Sequence, residues 1–228
     1  MQSIFPTYQN ILMKNPLFHG ICESDIPIML QRLGAFVKRY LKDEYVKLNG
    51  DPADFIGVVL SGEIYICQDD FYGNRSITAS VTANSLFAEA FACADVGRLP
   101  VDILAASDCE ILYLNTQTLF HSCSGSCEFH HQLIANLLGI VARKNLYLNQ
   151  KLSYTSRGTT KDKLLAYLTD QARQNQSNEF TIPFNRQELA DFLGVERSAM
   201  SAELGKLVKL GVLETKRNDF KLHQMIER

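Results

Sequence analysis

The sequence predicts an α+β protein in three parts: an antiparallel β domain near the N-terminus, one long helix, and a C-terminal unit of short helices followed by a two-stranded wing. Three observations carry that expectation. Short β-rich runs between residues 40 and 115 (GVVL, IYIC, ITASV, VDILAAS, EILYL) alternate with turn-rich segments (NGDPADF, LSGE, DDFYGN, ASDCE), the texture of an antiparallel sandwich or barrel. The apolar spacing then changes to a helical period over residues 127–152. Finally, NRQELADFLGVERSAMSAELGKL, residues 185–207, reads as two short helices joined at a glycine.

The totals bound the function classes. A hydrophobic share of 46% with 21% charged residues is ordinary for a globular chain of 228 residues and argues against disorder. No window approaches the 18 or so uncharged apolar residues of a membrane span, and the start MQSIFPTYQNILMKNP lacks the features of a secretory signal. The expected address is the cytoplasm, with no membrane partner. There the six cysteines (22, 67, 93, 109, 123 and 127) are expected as thiols, and those in IYICQ and DCEILYL as buried ones. The net charge of −2 is split unevenly: residues 157–228 hold 12 Lys+Arg against 10 Asp+Glu, residues 1–156 hold 11 against 15. An acidic front and a mildly basic back suit an attached nucleic-acid module.

In chain order, residues 1–39 carry Pro6, Pro16 and Pro27 among short apolar clusters and predict one or two leading helices, with helical spacing in ESDIPIMLQRLGAFV. The β segment follows. In 127–152, Ile134, Val141 and Leu148 recur every seven residues, with Leu138 and Leu152 in the partner position, and Phe129, Leu133, Leu137, Ile140 and Tyr147 form a second stripe. A helix apolar on two sides must bury both. One face is expected on its own β domain and the other against a second copy in a parallel coiled coil, with Asn145 setting register; a wholly intramolecular helix is the alternative. SYTSRGTT (153–160) reads as a hinge, and 161–174 as a helix capped by Thr159 or Thr160.

Asn185 followed by Glu188 makes a capping-box start. Leu189, Ala190 and Leu193 are expected inward, Gly194 permits the turn, and Val195 plugs the junction. Met200, Leu204, Leu207 and Val208 are expected to form the buried stripe of the second helix. Arg197, Ser198, Ser201, Ala202 and Gly205 are left on the other side, and VLETKRNDFKLH predicts the wing. A helix N-terminus bearing arginine and hydroxyls suits major-groove reading, because Arg can bond a guanine edge twice and Ser can bond bases or phosphate. A packing motif alone would not need small residues on its exposed face. Arg186, Lys206, Lys216, Arg217 and Lys221 are phosphate-contact candidates, and Gln187 is a further DNA-binding candidate.

This layout resembles the Crp/Fnr family of bacterial transcription regulators, most specifically in RQELADFLGVERSAMSAEL and in GVVLSGEIYI. The resemblance spans nearly the whole chain. It implies an N-terminal antiparallel β-roll of the cyclic-nucleotide-binding type (1–125), a long dimerisation helix with its hinge (126–156) and a C-terminal winged helix-turn-helix (157–228). It further implies a homodimer on a palindromic site of double-stranded DNA and contact with RNA polymerase. One departure lies in the second helix. Where the family commonly has an arginine after the serine, this chain has Ala202, which predicts an unusual half-site. The second departure lies in the roll. The stretch SLFAEAFACADVGRLPVDILAA keeps Glu89 at the family's glutamate position but has Ala88 for its glycine. Leu99 and Pro100 stand where an Arg-Ser pair would hold a cyclic phosphate, with Arg98 one residue early.

A buried phosphate needs a charge-assisted partner, so cyclic AMP is not the expected effector. With Phe87, Phe91, Leu99 and Pro100 around the site, a small, mostly apolar or aromatic acid is expected, and a ligand-free roll is the alternative. Other sensing routes stay open through Cys123, Cys127 and His131, the last two one turn apart if the helix begins by 126, as metal ligands or a thiol pair. An enzyme is excluded on composition of motifs. There is no nucleophile elbow, no phosphate loop, and no histidine between 40 and 115. A DNA-bridging protein indifferent to small molecules is the remaining class.

Overall fold

A computed structural model of the chain describes residues 4–121 and 128–223. The chain forms two compact units, Met1–Ala142 and Arg143–Arg228. The first opens with α1 (Ile4–Leu12), a 3₁₀ turn (Pro16–Phe18) and α2 (Ile26–Arg32). Gly34 then takes a left-handed conformation (φ 61°) and turns the chain into β1 (Phe36–Tyr40). The helical spacing in ESDIPIMLQRLGAFV therefore overran: its last residues, Phe36 and Val37, are strand, because the glycine ends the helix before them.

Eight strands make the roll: β1, β2 (Tyr45–Lys47), β3 (Phe55–Ser61), β4 (Glu63–Asp69), β5 (Arg75–Thr82), β6 (Leu86–Phe87), β7 (Asp102–Ala105) and β8 (Cys109–Asn115). They form two antiparallel four-stranded sheets, ordered β1-β8-β3-β6 and β2-β7-β4-β5. Strands β3 and β8 are buried on both faces, which explains their near-continuous apolar runs. Phe55, Val59, Ile111 and Tyr113 enter the core between the sheets. Ile56, Val58, Leu60, Leu112 and Leu114 point the other way, into a core shared with the leading helices and with Leu133, Leu137 and Ile140. By contrast β5 is an exposed edge strand, held at its start by Arg75, which bonds Asp69, Asp102 and Tyr45. Two short helices, α3 (Glu89–Cys93) and α4 (Thr116–His121), interrupt and follow the strands.

The long helix α5 runs from Glu128 to Thr155. Residues 153–155 of the expected hinge belong to it, leaving 156–159 as the connection. In the second unit α6 (Thr160–Gln174) starts on Thr159, whose hydroxyl accepts from the Asp162 N–H. The carboxylate of Asp170 on α6 accepts from Gln150 (2.6 Å) and Tyr154 (2.5 Å) of α5. After α6 come β9 (Glu179–Thr181), α7 (Arg186–Leu193), α8 (Arg197–Lys209), β10 (Leu213–Lys216) and β11 (Asp219–Leu222). The wing has three strands, ordered β10-β11-β9; the sequence pattern in NEFTIP was too short to show the third.

Candidate nucleic-acid interface and the interior of the roll

The two helices of the second unit assemble as their capping and spacing require. Asn185 Oδ1 accepts from the N–H groups of Gln187 (2.9 Å) and Glu188 (3.0 Å), and the Glu188 carboxylate returns to the Asn185 N–H (2.8 Å). Such a box is worth about 1 kcal/mol. Gly194 closes α7 in the left-handed region (φ 61°), and Lys163 Nζ donates to the carbonyls of Leu193 and Gly194. Leu189, Ala190, Leu193, Met200, Leu204 and Leu207 are buried in one core with α6 and the wing. Val208, expected in that stripe, is 42% exposed: a turn beyond Leu204 the stripe passes through Leu207, and the next residue swings to the flank.

Arg197, Ser198, Ser201, Ala202 and Gly205 are all exposed, side by side on the opposite face of α8. The basic candidates separate into two groups. Among the described residues Arg197, Lys216 and Arg217 have no carboxylate partner. Lys206 pairs with Glu203 (2.5 Å), Lys221 pairs with Glu179, and Gln187 bonds Asp191 (2.8 Å). Arg186 is folded into its own domain, with Nη2 donating to the Thr215 hydroxyl (2.7 Å) and the guanidinium 4.9 Å from the centre of the Phe220 ring. Desolvation there lowers its pKa. Sequence spacing shows that a residue is basic, not whether the fold has already given it a partner, and that is why this group was not separable beforehand.

On α5 the second stripe is buried against the roll at Leu133, Leu137 and Ile140. Of the seven-residue repeat, Leu138, Leu148 and Leu152 are 68%, 61% and 61% exposed, Asn145 is exposed, and Ile134 and Val141 are partly covered. Tyr147 is half exposed, its ring 6.2 Å from that of Phe192.

Inside the roll, Phe87, Ala88 and Leu99 belong to the core between the sheets, with Phe91 packed against it. The Phe87 ring lies on the bare backbone of Gly57, where a Cβ would come within 2.2 Å of it. Ala88 keeps the left-handed conformation (φ 61°) at the start of α3, a geometry natural to the glycine it replaces. Glu89 is buried, at 4% exposure. Arg98 turns outward and its Nη1 donates to the Gly50 carbonyl (2.7 Å), while Pro100 is exposed. The residues 87–100 are thus brought together around α3, with apolar side chains inward and the arginine engaged elsewhere. His131 is exposed; Cys123 and Cys127, expected as its partners, lie outside the described residues. Cys67 and Cys109 are buried, and burial raises both thiol pKa values.

Residues 37–124 match the cyclic nucleotide-binding domain, and residues 162–226 match the Crp-like helix-turn-helix domain. The chain is similar to the nitrogen fixation regulation protein FixK of Azorhizobium caulinodans, 26% identical over 167 residues, which is 71% of this chain and 64% of that protein. The match therefore spans less than two thirds of the relative's length. Among solved structures, the Thermus thermophilus catabolite activator protein is 22% identical with a TM-score of 0.50, covering 92% of this chain and 95% of that one. DNR from Pseudomonas aeruginosa is 19% identical with a TM-score of 0.51, covering 98% and 96%. A putative cyclic nucleotide binding protein from Ruegeria pomeroyi is 19% identical with a TM-score of 0.53, covering 96% and 94%. At these identities the solved structures show a shared fold.

Proposed function

This chain belongs to the Crp/Fnr family of transcription regulators, and from that premise we propose that it acts as a homodimer on a palindromic operator under the control of a small effector held in the β-roll. The observation that carries the DNA reading is the α8 face: Arg197 exposed and unpaired among the described residues, beside Ser198, Ser201 and the methyl of Ala202. Arg197 reaches a guanine edge, the serines reach bases or phosphate, and Ala202 offers only an apolar contact such as a thymine methyl. Lys216 and Arg217 on the wing turn supply phosphate contacts.

The exposed leucines of α5 support the dimer. Leu138, Leu148 and Leu152 lie ten and four residues apart on one helix and would be dry only against another copy. RNA polymerase is a partner in this reading, and the cytoplasm is the compartment; among the described residues no helix is long and apolar enough to cross a membrane. The roll's apolar interior at Leu99 and Phe87, with Arg98 bonded to Gly50, favours an effector other than a cyclic nucleotide.

The test is selection of a binding site from random duplex DNA, followed by titration of that site with the parent protein and Arg197→Ala. Loss of one bidentate contact costs about 1–3 kcal/mol per half-site, roughly tenfold to a hundredfold, with the dimer intact by sedimentation. Unchanged operator affinity in Arg197→Ala would remove the assigned role.

A further inference from the structure

The roll holds a cavity of about 480 Å³ that none of residues 87–100 lines; its walls are β1, β2, the ends of β3 and β8, and the segment at Asp51 and Asp54. Alternation along β1 explains what faces it. Val37 packs into the core under the leading helices and Arg39 reaches Glu110, so Phe36, Lys38 and Tyr40 share the other face. That face brings a lysine to the end of the space between the sheets.

Two ammonium groups stand over aromatic rings there: Lys38 Nζ lies 4.6 Å from the centre of Tyr40, and Lys47 Nζ 4.9 Å from that of Phe55. Neither has a carboxylate partner among the described residues. Asp51 also lines the cavity, but its carboxylate accepts from the Leu48 N–H (3.0 Å) and holds that turn. Asp54 is exposed, and at the cavity it opposes a second negative charge on a ligand.

The aromatic floor is continuous. Phe36 stacks on Tyr113 with ring centres 4.9 Å apart and planes 13° from parallel, and Tyr113 stands 5.3 Å from Phe55. Phe36 is 53% exposed, which leaves one end of this floor open. Tyr40 and Tyr113 are both buried, and their hydroxyls share a single hydrogen bond of 2.7 Å. Two hydroxyl protons and one bond leave one proton without an acceptor among the described residues, in a setting where an unmet donor costs about 1–3 kcal/mol. Burial raises the Tyr113 pKa, so that hydroxyl keeps its proton and can donate.

We infer that this cavity is a binding site for a small aromatic monocarboxylate, whose ring lies on the floor of Phe36, Phe55 and Tyr113 and whose carboxylate takes Lys38, Lys47 and the spare tyrosine proton. The volume falls in the range of about 300–1,000 Å³ usual for small-molecule pockets. Charge-assisted bonds from the ammonium groups set the preference for the acid over its neutral amide. The inference rests on the reading of the roll as an effector domain, and gives that effector a place other than the one its sequence resemblance indicates.

The experiment is a thermal-shift titration of the purified full chain with benzoate, phenylacetate, benzamide and cyclic AMP. Expected is a saturable rise in melting temperature with benzoate or phenylacetate and none with benzamide. The rise is lost in Lys38→Gln/Lys47→Gln, with affinity down roughly tenfold or more, and kept in Arg98→Gln. Circular dichroism of the lysine double variant confirms that it is folded, and Tyr40→Phe/Tyr113→Phe, which removes both hydroxyl protons, serves as a second variant that weakens the shift. The site is overturned if neither acid moves the melting temperature, if only cyclic AMP does, or if the folded double variant keeps the full response. Because DNA binding is titrated separately, a silent cavity with an intact operator complex removes this site and leaves the regulator standing.

Discussion

The positive charges singled out in the two units of this chain meet different surroundings. In the winged-helix unit Arg197, Lys216 and Arg217 project into solvent without carboxylate partners among the described residues, on α8 and the wing. In the roll Arg39 and Arg75 pair with carboxylates, and Lys38 and Lys47 stand over aromatic rings beside a cavity. Outward charges act at a distance on a polyanion, and their effect falls with salt. In the site proposed for the roll, charges beside a cavity act on one small anion as its water is removed. In the proposed reading the same residue types serve two recognition problems, and what separates them is the environment each strand or helix provides.

The largest expected effect comes from giving each unit the arginine that the family resemblance places there. Leu99→Arg puts a guanidinium into the core between the sheets, where the side chain is 1% exposed. Lost packing and an unpaired buried charge should together cost about 3–5 kcal/mol, read as a fall in the denaturant midpoint. Ala202→Arg, on an exposed helix face, should leave stability within about 0.5 kcal/mol and add about 1–3 kcal/mol of preference for a guanine-bearing half-site. If Leu99→Arg were tolerated and bound cyclic AMP, the roll would be a nucleotide pocket one residue from function, and the contrast between the units would fail.

Much of this contrast was legible in the sequence, and unevenly so. The α8 face is fixed by residues a few positions apart on one regular helix, and Asn185, Glu188 and Gly194 mark the limits of α7 just before it, so its exposed residues could be named from spacing. The cavity in the roll could not. Its walls come from Phe36 to Asn115, across β1, β2, β3 and β8, and β1 itself was hidden inside a helical-looking run until Gly34 ended it. The strand β9 was missed for a similar reason: three residues carry no period. Ala88 shows the reverse case. The glycine-like backbone survives at φ 61° although the glycine does not, so a sequence reading that required Gly would have discarded a turn that persists.

High pH should act on both units through their buried phenols. Burial raises Tyr113 in the roll and Tyr154 and Tyr167 in the second unit, Tyr167 to about 12. A raised folded-state pKa means the unfolded chain ionises first, so this stability is complete below about pH 10 and is lost as pH rises through the folded value. Absorbance of tyrosinate should show an early group of exposed phenols and a late group that appears only with loss of structure. Tyr167→Phe should shrink the late step in the winged-helix unit and leave the loss near Tyr113 unchanged. A single early titration of every tyrosine would mean that none of these phenols is shielded.

The smallest effect tests the division among the basic residues themselves. Each phosphate contact contributes about −0.9 to the slope of log affinity against log salt, and a dimer carries each substitution twice. Lys216→Gln and Arg217→Gln should therefore each make the slope shallower by about 2, uniformly across operator sequences. Lys206 and Lys221 already face Glu203 and Glu179, so they neutralise less phosphate charge and release fewer of the DNA's condensed counterions, and Lys206→Gln or Lys221→Gln should change the slope by less than half as much. Arg186→Gln should hardly change it, since its guanidinium is given to Thr215 and Phe220, and its cost should appear instead as a lower melting temperature. Equal slopes for all five variants would mean that the intramolecular pairs open on DNA, and that the free and engaged cations of this unit are one surface rather than two.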